Sequence, residues 1–257
     1  MALDIVTLPL LSDNYAYLVH VPETGATAVV DPAEAGPVLA ALESRGWTLG
    51  FILNTHHHPD HTGGNAALKQ ATGARLAAAR ADAHRIAGID LPLDEGDVLD
   101  LGGHPVRTLA VPGHTRGHIA YWFERDAALF PGDTLFSLGC GRLFEGSPAE
   151  MWRSLCRLRD LPPETRLYCG HEYSQANARY ALTLDPANPD LHRRSEEIDA
   201  LRRAGRPTLP VTLGRERASN PFLRADEPGL KAALGLDPAT DDVETFAAIR
   251  RGKDDFR

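Results

Sequence analysis

Thr55-His56-His57-His58-Pro59-Asp60-His61-Thr62-Gly63-Gly64-Asn65 decides how this chain is read, because four possible metal ligands, His56, His58, Asp60 and His61, fall within one short loop. The apolar run Phe51-Ile52-Leu53 before it reads as a buried strand, and the glycines after it open a helix. Ligands at a strand's end have a rigid support, while their tips reach the loop region where open α/β sites form. A lone His-x-His could equally be a solvated turn. Three further stretches repeat one arrangement, an apolar lead-in, a glycine and a ligand type: Val111-Pro112-Gly113-His114, Phe130-Pro131-Gly132-Asp133 and Tyr168-Cys169-Gly170-His171. That repetition makes a metal centre the reading.

Upstream, residues 5–8, 15–19 and 27–30 read as strands separated by turn signals, and a helix runs from Gly36 to Gly46. Downstream come a helix over 64–71, strands over 75–77, 98–101 and 106–109, and a hairpin of 119–123 with 128–130. A capping box at Ser147-Pro148-Ala149-Glu150 starts a helix, and a strand over 166–169 delivers His171. Strands interleaved with helices indicate a layered α/β architecture. Beyond Tyr173 strands are expected to vanish, with helices near 174–184, 191–204 and 243–251. The division expected is a catalytic domain over 1–172 and a small α-helical domain over 173–257. Asp31, ending the third strand, either orients a metal-bound histidine or simply makes a turn before Pro32. His57 is expected to point away from the ligands and His118 to bond behind them, so neither is counted as a ligand. Arg250 and Lys253, three apart on the last helix, read from spacing alone as a solvated helix end.

With 43% hydrophobic and 24% charged residues, the 257-residue chain can bury a proper core. A formal charge of −8 without a long basic run argues against nucleic acid as a partner, and an anionic substrate would need a local basic patch. Three cysteines at irregular spacing suit a reducing compartment. No spanning segment or signal peptide is read, so a cytoplasmic monomer without a membrane partner is expected.

His56, His58, Asp60, His61, His114, Asp133 and His171 give five imidazoles and two carboxylates. A four-coordinate ion needs three protein ligands and a water, so this set implies two divalent metal ions per chain. Imidazole with carboxylate suits Zn, Fe or Mn alike. Asp133, outside the dense motif, is the candidate bridge. A metal-bound water with a pKa near ~7 is a nucleophile at neutral pH, so the chemistry read is hydrolysis of an acyl or phosphoryl bond.

The run His56-x-His58-x-Asp60-His61, followed in order by His114, Asp133 and His171, resembles the metallo-β-lactamase superfamily. With Gly132-Asp133-Thr134-Leu135-Phe136, Gly139-Cys140-Gly141-Arg142-Leu143-Phe144-Glu145-Gly146, Tyr168-Cys169-Gly170-His171-Glu172-Tyr173 and Arg250-Arg251-Gly252-Lys253-Asp254-Asp255-Phe256, the chain is similar to the glyoxalase II family, the hydroxyacylglutathione hydrolases. The resemblance implies an αβ/βα sandwich followed by a helical domain that helps bind glutathione. It implies hydrolysis of S-D-lactoylglutathione and related S-2-hydroxyacylglutathiones by a metal-bridging hydroxide, the second step of methylglyoxal detoxification. By position, His56, His58 and His114 would hold one ion and Asp60, His61 and His171 the other. Asp133 would bridge, with Asp60 and Asp133 as catalytic carboxylates. Arg142, Phe144, Tyr173, Arg250 and Lys253 fall where the family contacts glutathione, which replaces the solvated-end reading of the last helix. Some members have Lys at the Arg142 position and others Tyr at the Phe144 position. The alternatives are a mononuclear-iron persulfide dioxygenase and a lactonase on the same scaffold.

Overall fold

The computed structural model describes residues 2–256. Internal packing divides the chain into two units interleaved in sequence. The first comprises the chain up to Val111, then Arg116–Gly132 and Tyr168–His171; the second comprises Pro112–Thr115, Asp133–Leu167 and the chain from Glu172 onward.

The first unit contains β1 (Asp4–Leu10), β2 (Asn14–His20), β3 (Thr27–Val30), α1 (Ala35–Arg45), β4 (Phe51–Leu53), α2 (Pro59–Thr62), α3 (Asn65–Thr72), β5 (Arg75–Ala79) and β6 (Leu91–Leu93). It continues with β7 (Val98–Leu101), β8 (His104–Ala110), β9 (Ile119–Phe123) and β10 (Ala128–Gly132). Strands β1 to β6 form one sheet in chain order, antiparallel from β1 to β3 and parallel from β3 to β6. Parallel neighbours need crossovers, and α1 and α3 lie on the first two. The side-chain alternation of a strand sorts the two faces. Ala16, Leu18, Val29, Ile52, Leu76 and Ala78 join Val38 and Leu42 of α1 and Leu68 of α3 in one buried cluster. Tyr17, of opposite parity on β2, faces the other way: its ring lies 5.5 Å from Phe130 and 5.3 Å from Tyr168, and its hydroxyl donates to the Cys169 carbonyl at 2.6 Å. β2 is therefore buried along its whole length, which explains its near-continuous apolar run.

β7, β8, β9 and β10 pair antiparallel in the second sheet. From β9, the Tyr121 hydroxyl donates to the carbonyls of Asn54 at 3.0 Å and Ala77 at 3.1 Å, joining the sheets beside the His56 loop. The layers are those of the αβ/βα sandwich.

In the second unit β11 (Leu135–Phe136) and β12 (Gly139–Cys140) form a hairpin, followed by α4 (Pro148–Arg159) and the start of β13 (Arg166–Cys169). Then come α5 (Ser174–Leu184), α6 (Pro189–Arg203), β14 (Val211–Thr212), α7 (Leu213–Ser219), α8 (Pro228–Ala233) and α9 (Asp242–Asp255). The capping box forms as expected: Glu150 N–H donates to Ser147 Oγ at 3.3 Å, and Ser147 N–H to Glu150 Oε2 at 2.7 Å. Trp152 of α4 meets Phe246 of α9 with ring centroids 6.0 Å apart. β13 is shared between the units. Its Arg166 and Leu167 pair with β14, while Tyr168 stacks on Phe130 of β10 at 5.0 Å.

Three expectations are corrected. Strands do not vanish after Tyr173, because β14 is there; its two residues carry no alternation to read. β6 lies outside the strands expected, since Pro92 argues against one; it sits at the sheet edge, where a residue without an N–H is tolerated. The short helices α7 and α8 add to the three helices expected after Tyr173. The three cysteines are free. Among the described residues, no helix is long and apolar enough to cross a membrane.

Candidate functional site

The chain leaves β4 at Leu53 and is folded back at once by the buried Asn54, whose amide donates to the His61 carbonyl at 2.9 Å and accepts from Asn65 at 2.6 Å. This closes the loop from Thr55 to His61. Asp31, at the end of β3 with φ +49°, occupies a left-handed conformation that aspartate tolerates better than most residues. Its carboxylate accepts from Thr55 N at 2.8 Å and Thr55 Oγ1 at 2.7 Å, and faces His61 Nδ1 at 3.2 Å. Of the two readings of Asp31, the histidine partner is the one observed.

Hydrogen-bond partners fix which ring nitrogen carries the proton. His171 Nδ1 lies 2.8 Å from Asp13 Oδ1, a pure acceptor, so Nδ1 is protonated and Nε2 presents a lone pair. His61 Nδ1 lies in ion-pair contact with Asp31 Oδ2 at 3.2 Å, and the carboxylate's charge there likewise favours the proton on Nδ1. Thr55 Oγ1 donates its only hydrogen to Asp31, so it accepts from His56 Nδ1 at 3.0 Å, leaving His56 Nε2 as a lone pair 3.0 Å from His58 Nδ1. In consequence His61 Nε2 and His171 Nε2, two electron-pair donors, face each other at 3.2 Å. Asp60 Oδ2 lies 3.5 and 3.4 Å from them and is oriented by Asn14 Nδ2 at 3.0 Å. Three converging electron-pair donors repel one another unless a cation lies among them, so this donor set fits a divalent metal. Donor groups for a second ion begin with His56 and His58.

In the second unit His114 repeats the pattern. Its Nδ1 donates to the Arg142 carbonyl at 2.9 Å, and its Nε2 faces Asp133 Oδ2 at 3.5 Å. Asp133 directly follows Gly132, whose φ of +50° and close approach to Thr55 Oγ1 and His118 leave no space for a side chain. The glutathione-contact candidates all lie in this unit. Phe144 is 62% exposed, with its ring 5.2 Å from that of His114. Tyr173 packs edge-on against Phe136 at 5.4 Å. Arg142 is exposed, its Nε 3.7 Å from Asp254. Arg250 is only 5% exposed; Nη1 donates to the Cys140 carbonyl at 2.7 Å and Nη2 to Asp254 at 3.0 Å. Lys253 is half-buried between the rings of Tyr180 and Phe256, and its Nζ donates to the Ala176 carbonyl at 3.0 Å. The solvated-end reading of this helix is therefore wrong: Phe222 covers Arg250 at 5.2 Å, a partner spacing along the helix cannot reveal.

His57 points to Asp82 Oδ2 at 3.5 Å and to Arg85 at 3.3 Å, away from the ligand candidates as expected. His118 stacks on His56 at 4.6 Å and donates from Nδ1 to the Ile119 carbonyl at 3.1 Å. Asp13 and Asn14, which orient His171 and Asp60, look in the sequence like plain turn formers; nothing local in Ser12-Asp13-Asn14 distinguishes those roles.

Residues 11–171 match the family model described as metallo-beta-lactamase superfamily, and residues 172–256 that described as hydroxyacylglutathione hydrolase C-terminus. A hydroxyacylglutathione hydrolase of Methylococcus capsulatus is 60% identical over 99% of both chains. Among solved structures, ETHE1 from Myxococcus xanthus superposes with TM-score 0.69 at 23% identity, covering 98% of this chain and 90% of that one, a likeness of fold alone. TTHA1623 in a di-iron-bound form superposes with TM-score 0.60 at 30% identity, covering 85% of this chain and 99% of that one.

Proposed function

Because the chain belongs to the hydroxyacylglutathione hydrolases of the metallo-β-lactamase superfamily, we propose that it hydrolyses S-D-lactoylglutathione and related S-2-hydroxyacylglutathiones to the 2-hydroxy acid and glutathione. The observation that carries this reading is one short stretch, 140–142, held at both ends by functional groups: the Cys140 carbonyl binds Arg250, and the Arg142 carbonyl binds His114. A cationic grip and a metal-ligand candidate are thus tied to the same piece of backbone. In this reading His56, His58 and His114 would hold one ion and Asp60, His61 and His171 the other, with Asp133 as the carboxylate that would serve both. The covalent chain supports it, since Asp133 is bonded to Gly132 beside Thr55, and Pro112–Thr115 is tethered at both ends to the first unit. Zn is the proposed metal, with 1–172 as catalytic domain and 173–257 as glutathione-binding domain of a cytoplasmic monomer, the latter segment packing with residues 133–167 rather than standing alone.

When bound, the ions would supply activated water and positive charge for the developing oxyanion. The protein's own part is to hold and aim. Asp13, Asp31 with Thr55, and the Arg142 carbonyl keep the Nδ1 protons in place so that each Nε2 is free to ligate. Arg142, Arg250 and Lys253 attract the substrate's carboxylates, which reconciles a net charge of −8 with an anionic substrate. A thiol leaving group has a pKa near ~8.5 and departs without a general acid.

The test is kcat/KM for S-D-lactoylglutathione against the same acyl group on a truncated thiol, with metal-replete protein. A large preference for the full substrate is expected, and equal values would remove glutathione from the reading.

Burial, with Arg250, Arg179 and Arg142 adding repulsion and Asp254 opposing it, lowers Lys253 to about 8. Below that pH Lys253 is charged and holds a carboxylate; above it the charge is lost. KM for the full substrate is therefore expected to rise as pH passes through about 8, and Lys253→Arg to flatten the rise. A KM ratio between full and truncated substrates that ignores pH would exclude Lys253 from the grip. Unfolded lysine keeps its proton to about 10.4. Between the folded and unfolded values the unfolded chain binds more protons, so this group makes stability rise with pH there.

Phe144→Tyr should lower KM for the glutathione thioester by at most a few fold, one neutral hydrogen bond contributing about 1 kcal/mol. A tenfold rise would show that the exposed ring lies in a differently built pocket.

A further inference from the structure

The Ser137-Leu138 turn between β11 and β12 is held by side chains from far along the chain, all within the second unit. Glu216 of α7, fully buried, accepts from Ser137 Oγ at 2.8 Å through Oε1 and from Leu138 N at 2.8 Å through Oε2. Asn220 donates to Glu216 Oε2 at 3.0 Å and to the carbonyls of Phe136 at 3.1 Å and Gly139 at 3.2 Å. Asn177 of α5 donates to the Ser137 carbonyl at 3.1 Å. Arg194 of α6 donates to Ser137 Oγ at 3.0 Å and to the Thr208 carbonyl at 2.9 Å.

Leu138 sits at φ +56°, a left-handed conformation that a bulky residue adopts only where its surroundings dictate it. Gly139 approaches the Asn177 amide so closely that a side chain there would collide with it. The turn is therefore fixed from both sides, and the hydrolytic mechanism above uses none of these groups.

Immediately after the turn the chain enters the substrate side. Cys140, ending β12, gives its carbonyl to Arg250 at 2.7 Å. Two residues on, the Arg142 carbonyl accepts from His114 Nδ1 at 2.9 Å, and Phe144 N donates to the His114 carbonyl at 3.2 Å. A shift of the turn moves the Cys140 carbonyl, and with it the anchor of Arg250 and the start of the Arg142–Phe144 segment.

We propose that Glu216, backed by Arg194, is a positioning residue for the glutathione thioester, fixing the Ser137-Leu138 turn so that Arg250, Arg142 and Phe144 meet the substrate in one arrangement. This rests on the glutathione reading of the site. Burial pushes the Glu216 carboxyl up, but Leu138 N–H and Asn220 Nδ2, which meet it, can only donate, Asn220 Oδ1 being held by Phe222 N, and the Ser137 hydroxyl already accepts from Arg194. Arg194 adds opposite charge. Such surroundings suit a carboxylate and have no place for the amide of glutamine.

The experiment uses full-length, metal-loaded protein carrying Glu216→Gln, with Ser137→Ala as a milder second variant. Kinetics on S-D-lactoylglutathione and on the truncated lactoyl thioester are measured together with amide hydrogen exchange. In Glu216→Gln, KM for the full substrate should rise about five- to thirtyfold, the loss of hydrogen bonds to a charged group. Its kcat should change less than about threefold, and kcat/KM for the truncated substrate should stay near wild type. Exchange should quicken over 138–144 and stay unchanged elsewhere. Ser137→Ala should show the same pattern at about two- to fivefold in KM, and it decides the question if Glu216→Gln does not fold. Equal loss of kcat on both substrates with faster exchange across the whole unit would mean a merely structural role and overturn the proposal. So would unchanged KM with unchanged exchange. A wild-type enzyme indifferent to glutathione would remove the glutathione reading instead. Exchange confined to 138–144 would then still uphold the clamp on the loop, and its absence would refute it.

Discussion

Asp60→Ala is expected to lower kcat/KM for S-D-lactoylglutathione at least about a thousandfold and to reduce bound metal from about two ions per chain to about one. Asp60 is 38% exposed, so its removal leaves no core cavity and should not unfold the protein. Its Oδ2 is the anionic member of the group that includes His61 Nε2 and His171 Nε2. Without it the site offers two neutral rings to a divalent cation, and the positive charge available to the oxyanion falls with occupancy. A loss of several kcal/mol in transition-state stabilisation corresponds to about three powers of ten. Metal analysis and kinetics on the same preparation are the check, with thermal unfolding as control. Full metal content with activity within tenfold of wild type would mean that Asp60 is no ligand.

The second large effect is expected for Arg250→Ala. The full substrate should lose about a hundredfold in kcat/KM, mostly through KM, while the truncated thioester stays near wild type. The magnitude reflects two roles lost together, the positive field around Lys253 and the hydrogen bond that holds the Cys140 carbonyl. The guanidinium is buried under Phe222, so truncation also removes packing. Arg250→Lys is the control: charge without the two-pronged hydrogen bonding should fall between wild type and alanine. Equal losses on both substrates would sink the assignment, since a residue serving only the glutathione moiety cannot affect a substrate that lacks it.

The ligand candidates are legible in the sequence because each follows an apolar strand, with a glycine directly before His114, Asp133 and His171, a local pattern that turn chemistry can display. The partners that set their protons are not. Asp31 can be suspected from its place after β3, but Asp13 reaches His171 across 158 positions, and a turn aspartate carries no mark of that. The α9 cations show the same limit. Spacing places Arg250 and Lys253 on one face but cannot show that Phe222 and the Cys140 carbonyl cover that face. Gly139-Cys140-Gly141 stands out as a motif, yet its hairpin depends on Asn177, Glu216 and Asn220, and two-residue strands have no period to read. The sandwich is recoverable because its other strands either alternate, as β7 does, or run almost continuously apolar, as β2 does; β6 and β14 are too short, or too broken by proline, to show either pattern.

Gene fragments exchanged at a breakpoint near residue 172 would not carry a self-contained module. The hairpin at 135–140 and helix α4 pack with the later helices, while β13 contributes residues to both units. A recombinant joining the first 171 residues of this chain to foreign helices would inherit a Ser137-Leu138 turn without its Glu216, and a Cys140 carbonyl without its Arg250. The two halves of such a sequence must therefore change in step, and variation acceptable in one is judged by what the other already contains.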